Sequence, residues 1–157
     1  MMKAIYYGVL ALFLVIAGVA LAQSAKKPIG DRERLIGAWH LVKIESPGAD
    51  GQQNPTPQPA GILIYTRDGH MSVQLMYPKS ANAQSNEYVQ DGYEASFGSY
   101  DLDEATHTLT HHVKGSNTRE LLVGKDLLRI YQFTTDGLLV IRPARPDEHW
   151  SVTWKHY

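Results

Sequence analysis

The sequence contains no cysteine and no excess of either charge, and these two absences exclude several classes of protein. Without cysteine there can be no disulfide framework, no thiolate metal site, no cysteine nucleophile and no lipidated N-terminal cysteine. The 15 Lys and Arg residues against 16 Asp and Glu residues give a formal net charge of −1. Because a nucleic-acid binder is expected to carry a basic face, we predict that nucleic acid is not a partner.

Known catalytic signatures are also missing. The chain has no Gly-x-Ser-x-Gly elbow, no phosphate-binding glycine loop, no dinucleotide fingerprint and no His-Glu-x-x-His. Among its histidines, His107 and His111 would lie roughly 13 Å apart on one strand, too far to bind one metal ion together. We therefore expect no metal site and no cofactor, with His111 in the interior and His112 on the surface.

The longest hydrophobic run stands at the N terminus. Residues 4–22 follow Lys3 without a charge and end in Ala20-Leu21-Ala22, the small-x-small pattern of signal-peptide cleavage. We expect residues 1–22 to be a signal peptide, so that a single domain without a membrane contact reaches the periplasm or the medium. The alternative is an uncleaved N-terminal anchor, because about 20 apolar residues can span a bilayer.

Residues 23–33 are polar and are predicted to form a flexible leader. Beyond them, short apolar runs separated by turn signals predict nine strands. Asp68-Gly69 and Asp136-Gly137 are typical of tight hairpins. The predicted strands are 34–46, 60–66, 70–77, 97–102, 107–115, 119–124, 127–134, 138–142 and 149–156.

Two segments interrupt this series of strands. Residues 47–59 are rich in proline and predict a long loop, either a lid over a binding site or a plain connection. Residues 85–89 predict a short capped helix that Gly92 limits to a turn or two. Short strands joined locally predict an all-β antiparallel meander, and we favour a closed up-and-down barrel because closure removes exposed edges.

The motif Gly37-x-Trp39 is the short signature of the lipocalins and their calycin relatives. Residues 61–72 and 97–103, with the shorter segments 110–113 and 128–129 and with Gly124, resemble the lipocalin-like domain family of bacteria and fungi. The resemblance runs from residue 35 to about 154. It implies a calycin barrel of about eight to ten strands with a short helical segment, formed by residues 34–157 and enclosing a cavity.

In calycins a basic side chain often packs over the tryptophan of the first strand. This chain ends with Trp154-Lys155-His156-Tyr157, so either Lys155 or His156 takes that position or the contact is absent. Trp39 would bury a large ring, and Gly37 would let another segment approach closely. We therefore expect Gly37, Trp39 and Trp154 to be structural residues.

Arg129 is the most informative polar residue. Both faces of its predicted strand are apolar, so the pattern leaves open whether it points into the barrel or covers the outer wall. An inward arginine needs a partner. Since acidic residues are scarce on the neighbouring strands, that partner could be an anionic ligand or a set of Tyr and His side chains. The candidate ligand-binding residues are Tyr65, Gln74, Tyr100, His111, Arg129 and Tyr131.

Three functional hypotheses follow from this sequence. The favoured one is an exported barrel that binds a small hydrophobic or amphipathic molecule, with no catalytic residue assigned. The second is an isomerase, cyclase or hydrolase on the same barrel, using His111 as acid or base and Arg129 to stabilise charge. The third is a structural envelope module whose barrel is filled by its own side chains.

Overall fold

Eight antiparallel strands close into a barrel in the computed structural model, which describes residues 29–46, 59–78 and 85–157. Each strand pairs with the next, and the last returns to the first, so the predicted all-β up-and-down barrel is confirmed. The strands are β1 (Gly37–Glu45), β2 (Ala60–Tyr65), β3 (His70–Met76), β4 (Tyr93–Asp103), β5 (Thr108–Ser116), β6 (Asp126–Phe133), β7 (Leu139–Pro143) and β8 (Ser151–His156). A helix, α1 (Asp31–Leu35), precedes β1, and a 3-10 turn (Glu120–Leu122) lies between β5 and β6.

Both Asp-Gly pairs, Asp68-Gly69 and Asp136-Gly137, lie in tight hairpin turns, as predicted from the sequence. Gly69 and Gly137 have positive φ angles of 87° and 83°, which glycine adopts without steric cost. The backbone N–H of Gly69 donates to the carbonyl of Thr66 at 3.2 Å, and that of Gly137 donates to Thr134 at 3.1 Å. These turns fix the registers of β2 with β3 and of β6 with β7.

Two predicted elements are wrong. The expected strand 119–124 is the 3-10 turn, in which Leu122 is buried while Leu121 and Val123 are exposed, so eight strands form rather than nine. The expected helix at 85–89 is a side-chain turn, because Asn86 Oδ1 accepts the backbone N–H groups of Tyr88 and Val89, both at 2.8 Å. The proposed lid at 47–59 lies outside the described residues apart from Pro59.

Helix α1 covers one end of the barrel, called here the closed end. It overlaps the predicted flexible leader, so residues 29–33 belong to the fold, whereas residues 23–28 lie outside the described ranges. The carboxylate of Glu104 accepts the backbone N–H groups of Asp31 and Arg32, and Glu33 forms a 2.6 Å ion pair with Arg67. No helix within the described ranges is long and apolar enough to cross a membrane.

The closed end is packed with large side chains. The indole Nε1 of Trp39 donates to the carbonyl of Leu35 at 2.9 Å, which joins β1 to α1. Both residues are almost completely buried. The other large buried residues at this end are Tyr65, Tyr100, Leu109, Tyr131 and Leu139.

His156 is the basic residue that packs over Trp39. Its ring lies edge-on to the indole with 4.4 Å between the centroids, and its Nε2 lies 3.1 Å from the carbonyl oxygen of Ile36. Lys155 is exposed. Gly37 has a φ of +136°, and a Cβ at this position would overlap the imidazole of His156. Gly37 was expected to let another segment approach closely, and that segment is the end of β8 with the imidazole of His156.

We expect Gly37→Ala to lower the free energy of unfolding by about 2–3 kcal/mol, because it combines backbone strain with displacement of His156. Gly124→Ala is the matched control, since Gly124 has a φ of +81° but open space where the Cβ of an alanine would lie, with no atom within 4 Å. Its loss should be only about 1 kcal/mol from strain. Urea unfolding of both variants measures the difference, and equal losses would show that the contact with His156 is unimportant.

Candidate ligand-binding site

A cavity of about 310 Å³ lies in the half of the barrel away from α1, called here the far end. Its volume is at the lower end of the range of about 300–1,000 Å³ that is usual for small-molecule sites. All eight strands contribute to its wall, so the described side chains do not fill the barrel completely. The wall is mostly apolar and includes Leu63, Met71, Val73, Leu75, Val113 and Ile141.

Arg129 points into this cavity from β6 and is buried. The carbon of its guanidinium lies 5.1 Å from the ring centroid of Tyr88 and 4.9 Å from that of Trp150, both within the range of cation–π attraction. Its Nη1 lies 3.9 Å from Oε2 of Glu148. The inward orientation left open by the sequence is therefore the observed one. The counter-charge comes from a residue of the chain, in the β7–β8 connection, and no ligand is needed to supply it.

Glu148 gathers several donors beside the cavity. The hydroxyl of Tyr88 donates to Oε1 at 2.7 Å, and the indole N–H of Trp150 donates to Oε2 at 3.2 Å. Arg145 adds an ion pair at 2.9 Å. The same contacts join the β3–β4 connection to the β7–β8 connection and hold the two aromatic rings against Arg129.

Glu94 is a second acidic residue in the cavity. It lies near the start of β4, opposite Leu75 of β3, and its side chain lines the cavity wall. Burial raises the pKa of its carboxyl to about 7, although the positive charge of Arg129 acts in the opposite direction. Near neutral pH this carboxyl can therefore both give and accept a proton.

The sequence reasoning missed Glu94 because the predicted strand started at residue 97. The strand in fact begins at Tyr93, and inward side chains alternate along it through Ser96 and Tyr100. Extending that alternation backwards from Tyr100 places Glu94 on the inner face. A charged residue at an inward position of a barrel strand is the signal that could have found it.

His111 lines the cavity from β5 and shares a 2.7 Å hydrogen bond with the hydroxyl of Tyr65 through its Nε2. Burial, together with the positive charge of Arg129, lowers the pKa of His111 to about 3. Burial raises the pKa of Tyr65 well above its ordinary value. Near neutral pH the two side chains are therefore an uncharged hydrogen-bonded pair.

Family membership follows from comparison with known domains. The family model of the lipocalin-like domain matches residues 36–156, which is most of the chain. The chain belongs to the lipocalin-like domain family. The resemblance seen in the sequence is thus confirmed, and a lipocalin-like barrel is a fold suited to binding a small molecule.

Comparison with curated proteins gives no significant match. Among solved structures, the lipocalin-like barrel is similar to the fluorescent protein UnaG. Wild-type UnaG is 12% identical and a point mutant of it is 14% identical, each with a TM-score of 0.40. The alignments cover 80% of this chain and 98% and 97% of the respective UnaG chains.

Four of the six predicted ligand-binding residues lie outside the wall of the cavity, which His111 and Arg129 line. Tyr65 is buried at the closed end, where its hydroxyl is hydrogen-bonded to His111. Gln74 is exposed on the outer face of β3. Tyr100 and Tyr131 point inward at the closed end, where their hydroxyls donate to the carbonyl of Thr66 at 2.9 Å and to Asp31 Oδ2 at 3.1 Å. The tyrosine that contacts Arg129 is Tyr88 of the β3–β4 connection, which was not among the predicted ligand-binding residues.

Trp154, predicted to be structural, is also part of the cavity wall. It is buried on β8, and its indole Nε1 has no hydrogen-bond partner. A buried donor without a partner costs free energy, about 1–3 kcal/mol for a typical group. Trp154 belongs both to the buried core cluster and to the cavity wall, so its ring packs at the boundary between the closed end and the cavity.

The surface histidine lies where the sequence placed it. His112 is on the outer face of β5 and bridges two carboxylates, with Nδ1 at 2.6 Å from Asp126 and Nε2 at 2.9 Å from Asp101. Both bridges favour the charged imidazolium, so they raise the pKa of His112. Within the described ranges, no group of three or more His, Cys, Asp or Glu residues is placed to hold a metal ion.

Proposed function

We propose that this lipocalin-like barrel binds a small, largely apolar molecule with one polar end, and that Arg129 contacts that end. The observation that carries the proposal is a mostly apolar cavity with a guanidinium buried in its wall. The 3.9 Å separation from Glu148 is longer than a hydrogen bond, and a guanidinium has five N–H donors. Arg129 can therefore donate to an acceptor on a ligand while it stays paired with Glu148.

The two parts of such a ligand contribute differently to affinity. Each CH₂ group removed from water into the apolar part of the cavity contributes about 0.8 kcal/mol. A hydrogen bond to a charged donor contributes about 1.5–3 kcal/mol, and it also fixes the orientation of the ligand. The pocket thus favours an amphipathic molecule over a purely apolar one of the same size.

Decanoate tests this proposal by displacing the neutral dye Nile red from the purified protein at pH 6. Arg129→Met should weaken decanoate binding about tenfold or more, because one charged hydrogen bond is lost. Nile red binding should stay unchanged. The variant should fold, since Glu148 keeps its contacts with Arg145, Tyr88 and Trp150.

The matched control is Arg142→Met, at an exposed arginine on the outer face of β7. It should leave the affinities for both decanoate and Nile red unchanged. If neither compound binds to the wild-type protein, the proposed function is wrong. If both arginine variants weaken decanoate equally, Arg129 is not the residue that contacts the ligand.

The enzyme hypothesis needed His111 and Arg129 to share one cavity, and both line its wall. A base that works near neutral pH needs a pKa near that pH. Because burial lowers the pKa of His111 to about 3, its imidazole is too weak a base for that role. We therefore propose binding in preference to catalysis through His111.

We also propose that the protein is exported to the periplasm or the medium. The support is the sequence of residues 1–22, which lie outside the described ranges: one lysine, an apolar run and Ala20-Leu21-Ala22. Amino-terminal sequencing of the exported protein should start at Gln23. An intact N terminus in a membrane fraction would instead identify an uncleaved anchor, and recovery of the whole protein from the cytoplasm would contradict export.

A further inference from the structure

Glu94 has no partner role in the binding scheme described above, yet it lies in the same cavity as Arg129. It lies opposite Leu75 of β3 and lines a cavity whose wall is mostly apolar. Glu94 is half-buried, and a carboxyl group set in a mostly apolar cavity is a candidate for a functional role. Glu94 and Arg129 line one cavity of about 310 Å³, so a polar group of a ligand inside it lies in the same small space as both side chains.

Several charged or titratable side chains line the same cavity as Glu94 or lie beside it. Arg129 lines the same cavity from β6, and Glu148 in the β7–β8 connection pairs with Arg129 and with Arg145. His111 on β5 is uncharged near neutral pH. Tyr77, which follows β3, has its pKa raised to about 12 by burial and by the charge of Glu94. The hydroxyl of Tyr88 is engaged by Glu148.

We propose that the polar end of the ligand is a carboxylic acid or a similar weak acid, which binds against Arg129 while Glu94 holds a proton that the two carboxyl groups share. This inference rests on the proposed function and specifies the chemistry of the ligand. Glu94 is then the hydrogen-bond donor to the bound acid, and at pH 8, where free Glu94 is mostly ionised, binding takes up about one proton from the solvent.

Charge balance in the cavity leads to this assignment. Glu148 pairs with both Arg129 and the half-exposed Arg145, and neither Glu148 nor Arg145 lines the cavity. Among the described residues of the cavity wall, Arg129 is therefore the one arginine or lysine, and an ionised Glu94 and an ionised ligand would set two negative charges against it in a mostly apolar space. Two carboxylates in such a space cannot both ionise, and one of them keeps a proton. With Glu94 protonated, only one negative charge remains, and it lies next to the guanidinium.

Other ligand classes fit this balance less well. A cationic end group would need an ionised Glu94 and would stand beside the like charge of Arg129. A neutral alcohol would bind without taking up a proton. The affinity for a cation should therefore change with pH in the opposite direction from the affinity for an acid. The affinity for an alcohol should change little with pH.

The expected effect is an affinity for decanoate about tenfold weaker at pH 8 than at pH 6. Only protein with Glu94 protonated binds the anion, and a pKa of about 7 makes that form the major one at pH 6 and the minor one at pH 8. Decanoate itself is ionised at both values, since carboxyl groups of this kind titrate near pH 4–5. Decan-1-ol should change by less than about twofold between the same two values, because its hydroxyl brings no charge.

Displacement of Nile red at pH 6 and pH 8 measures these affinities for decanoate, decan-1-ol and decan-1-amine. Calorimetry of decanoate binding at pH 8, in two buffers with different ionisation enthalpies, counts the protons taken up and should give about one per decanoate. Both measurements use the wild-type protein, so they decide the proposal even if a variant fails to fold.

Glu94→Gln provides a second, independent readout. Glutamine keeps a hydrogen-bond donor but cannot ionise, so decanoate should bind this variant equally well at pH 6 and pH 8. Glu120→Gln changes an exposed glutamate outside the cavity and should keep the wild-type tenfold difference. The comparison separates the titration of Glu94 from any general effect of removing one negative charge.

The binding measurements distinguish a failure of the inference about Glu94 from a failure of the proposed function. If decanoate binds with the same affinity at pH 6 and pH 8, or if decan-1-amine binds more tightly than decanoate at pH 8, the inference about Glu94 is overturned while the proposed function stands. If Nile red, decanoate and decan-1-ol all fail to bind at both pH values, the proposed function itself is overturned.

Discussion

Trp39→Ala is expected to lower the free energy of unfolding by about 3–5 kcal/mol, which is the usual cost of truncating a buried tryptophan. The ring is almost completely buried at the closed end, where it contacts His156 and lies 6.1 Å from Phe133 between centroids. The variant also leaves the carbonyl of Leu35 without the donor that joins it to β1. Since domains of this size have about 5–15 kcal/mol of stability, the loss is a large part of the total.

Urea unfolding followed by far-ultraviolet circular dichroism measures this effect. Val42→Ala is the control on the same strand, because Val42 is 42% exposed and should cost less than about 0.5 kcal/mol. Trp39→Phe should give an intermediate loss, since it keeps an aromatic ring but removes the indole N–H. A loss below about 1 kcal/mol in Trp39→Ala would show that the closed end does not depend on this ring.

Glu148→Ala is expected to cost about 3–5 kcal/mol, as is usual when one partner of a buried ion pair is removed. Only 7% of the Arg129 side chain and 9% of the Glu148 side chain are exposed, so solvent cannot replace the lost carboxylate. The substitution also leaves the hydroxyl of Tyr88 and the indole N–H of Trp150 without their acceptor. Thermal or urea unfolding of the variant measures the loss.

A double-mutant cycle shows whether the cost comes from the stranded charge. Arg129→Met in the Glu148→Ala background removes the unpaired guanidinium and should recover about 1–2 kcal/mol of the loss. Arg142→Met in the same background changes an exposed arginine and should recover nothing. If the losses of Arg129→Met and Glu148→Ala simply add, the two residues are not coupled and the ion pair has no energetic role.

The barrel could be predicted because its strands carry local signals. Alternation of apolar residues and Asp-Gly turns define β2, β3, β6 and β7, and short connections leave few topologies other than a meander. The segment 119–124 was misread because Leu121, Leu122 and Val123 form an apolar run too short to tell a strand from a turn.

The candidate site was harder to predict, for three physical reasons. Arg129 lies on a strand with two apolar faces, so the pattern could not show which face is inside. Glu148 is in a connection, where no periodicity places a side chain, and its contacts with Tyr88 and Arg145 depend on how two distant segments meet. Tyr131 faces inward, but alternation gives the face of a residue and says nothing about its depth along the barrel.

The outward position of Gln74 follows from the alternation of side chains along β3. Met71, Val73 and Leu75 are the apolar, buried positions of β3, and Gln74 alternates with them. Its strand therefore favoured an outward position by the same rule that located the core. A polar residue between apolar neighbours is a better candidate for the surface than for a ligand site.

The contacts of α1 at the closed end also determine how the domain can be tethered. Gly30 lies beside Glu104, and the backbone N–H of Tyr157 donates to the carbonyl of Ala38, so both ends of the described domain leave the barrel at the same pole. The cavity lies towards the opposite pole. A linker, affinity tag or surface attachment at either end of the described domain would thus leave the pole that holds the cavity pointing away from the attachment.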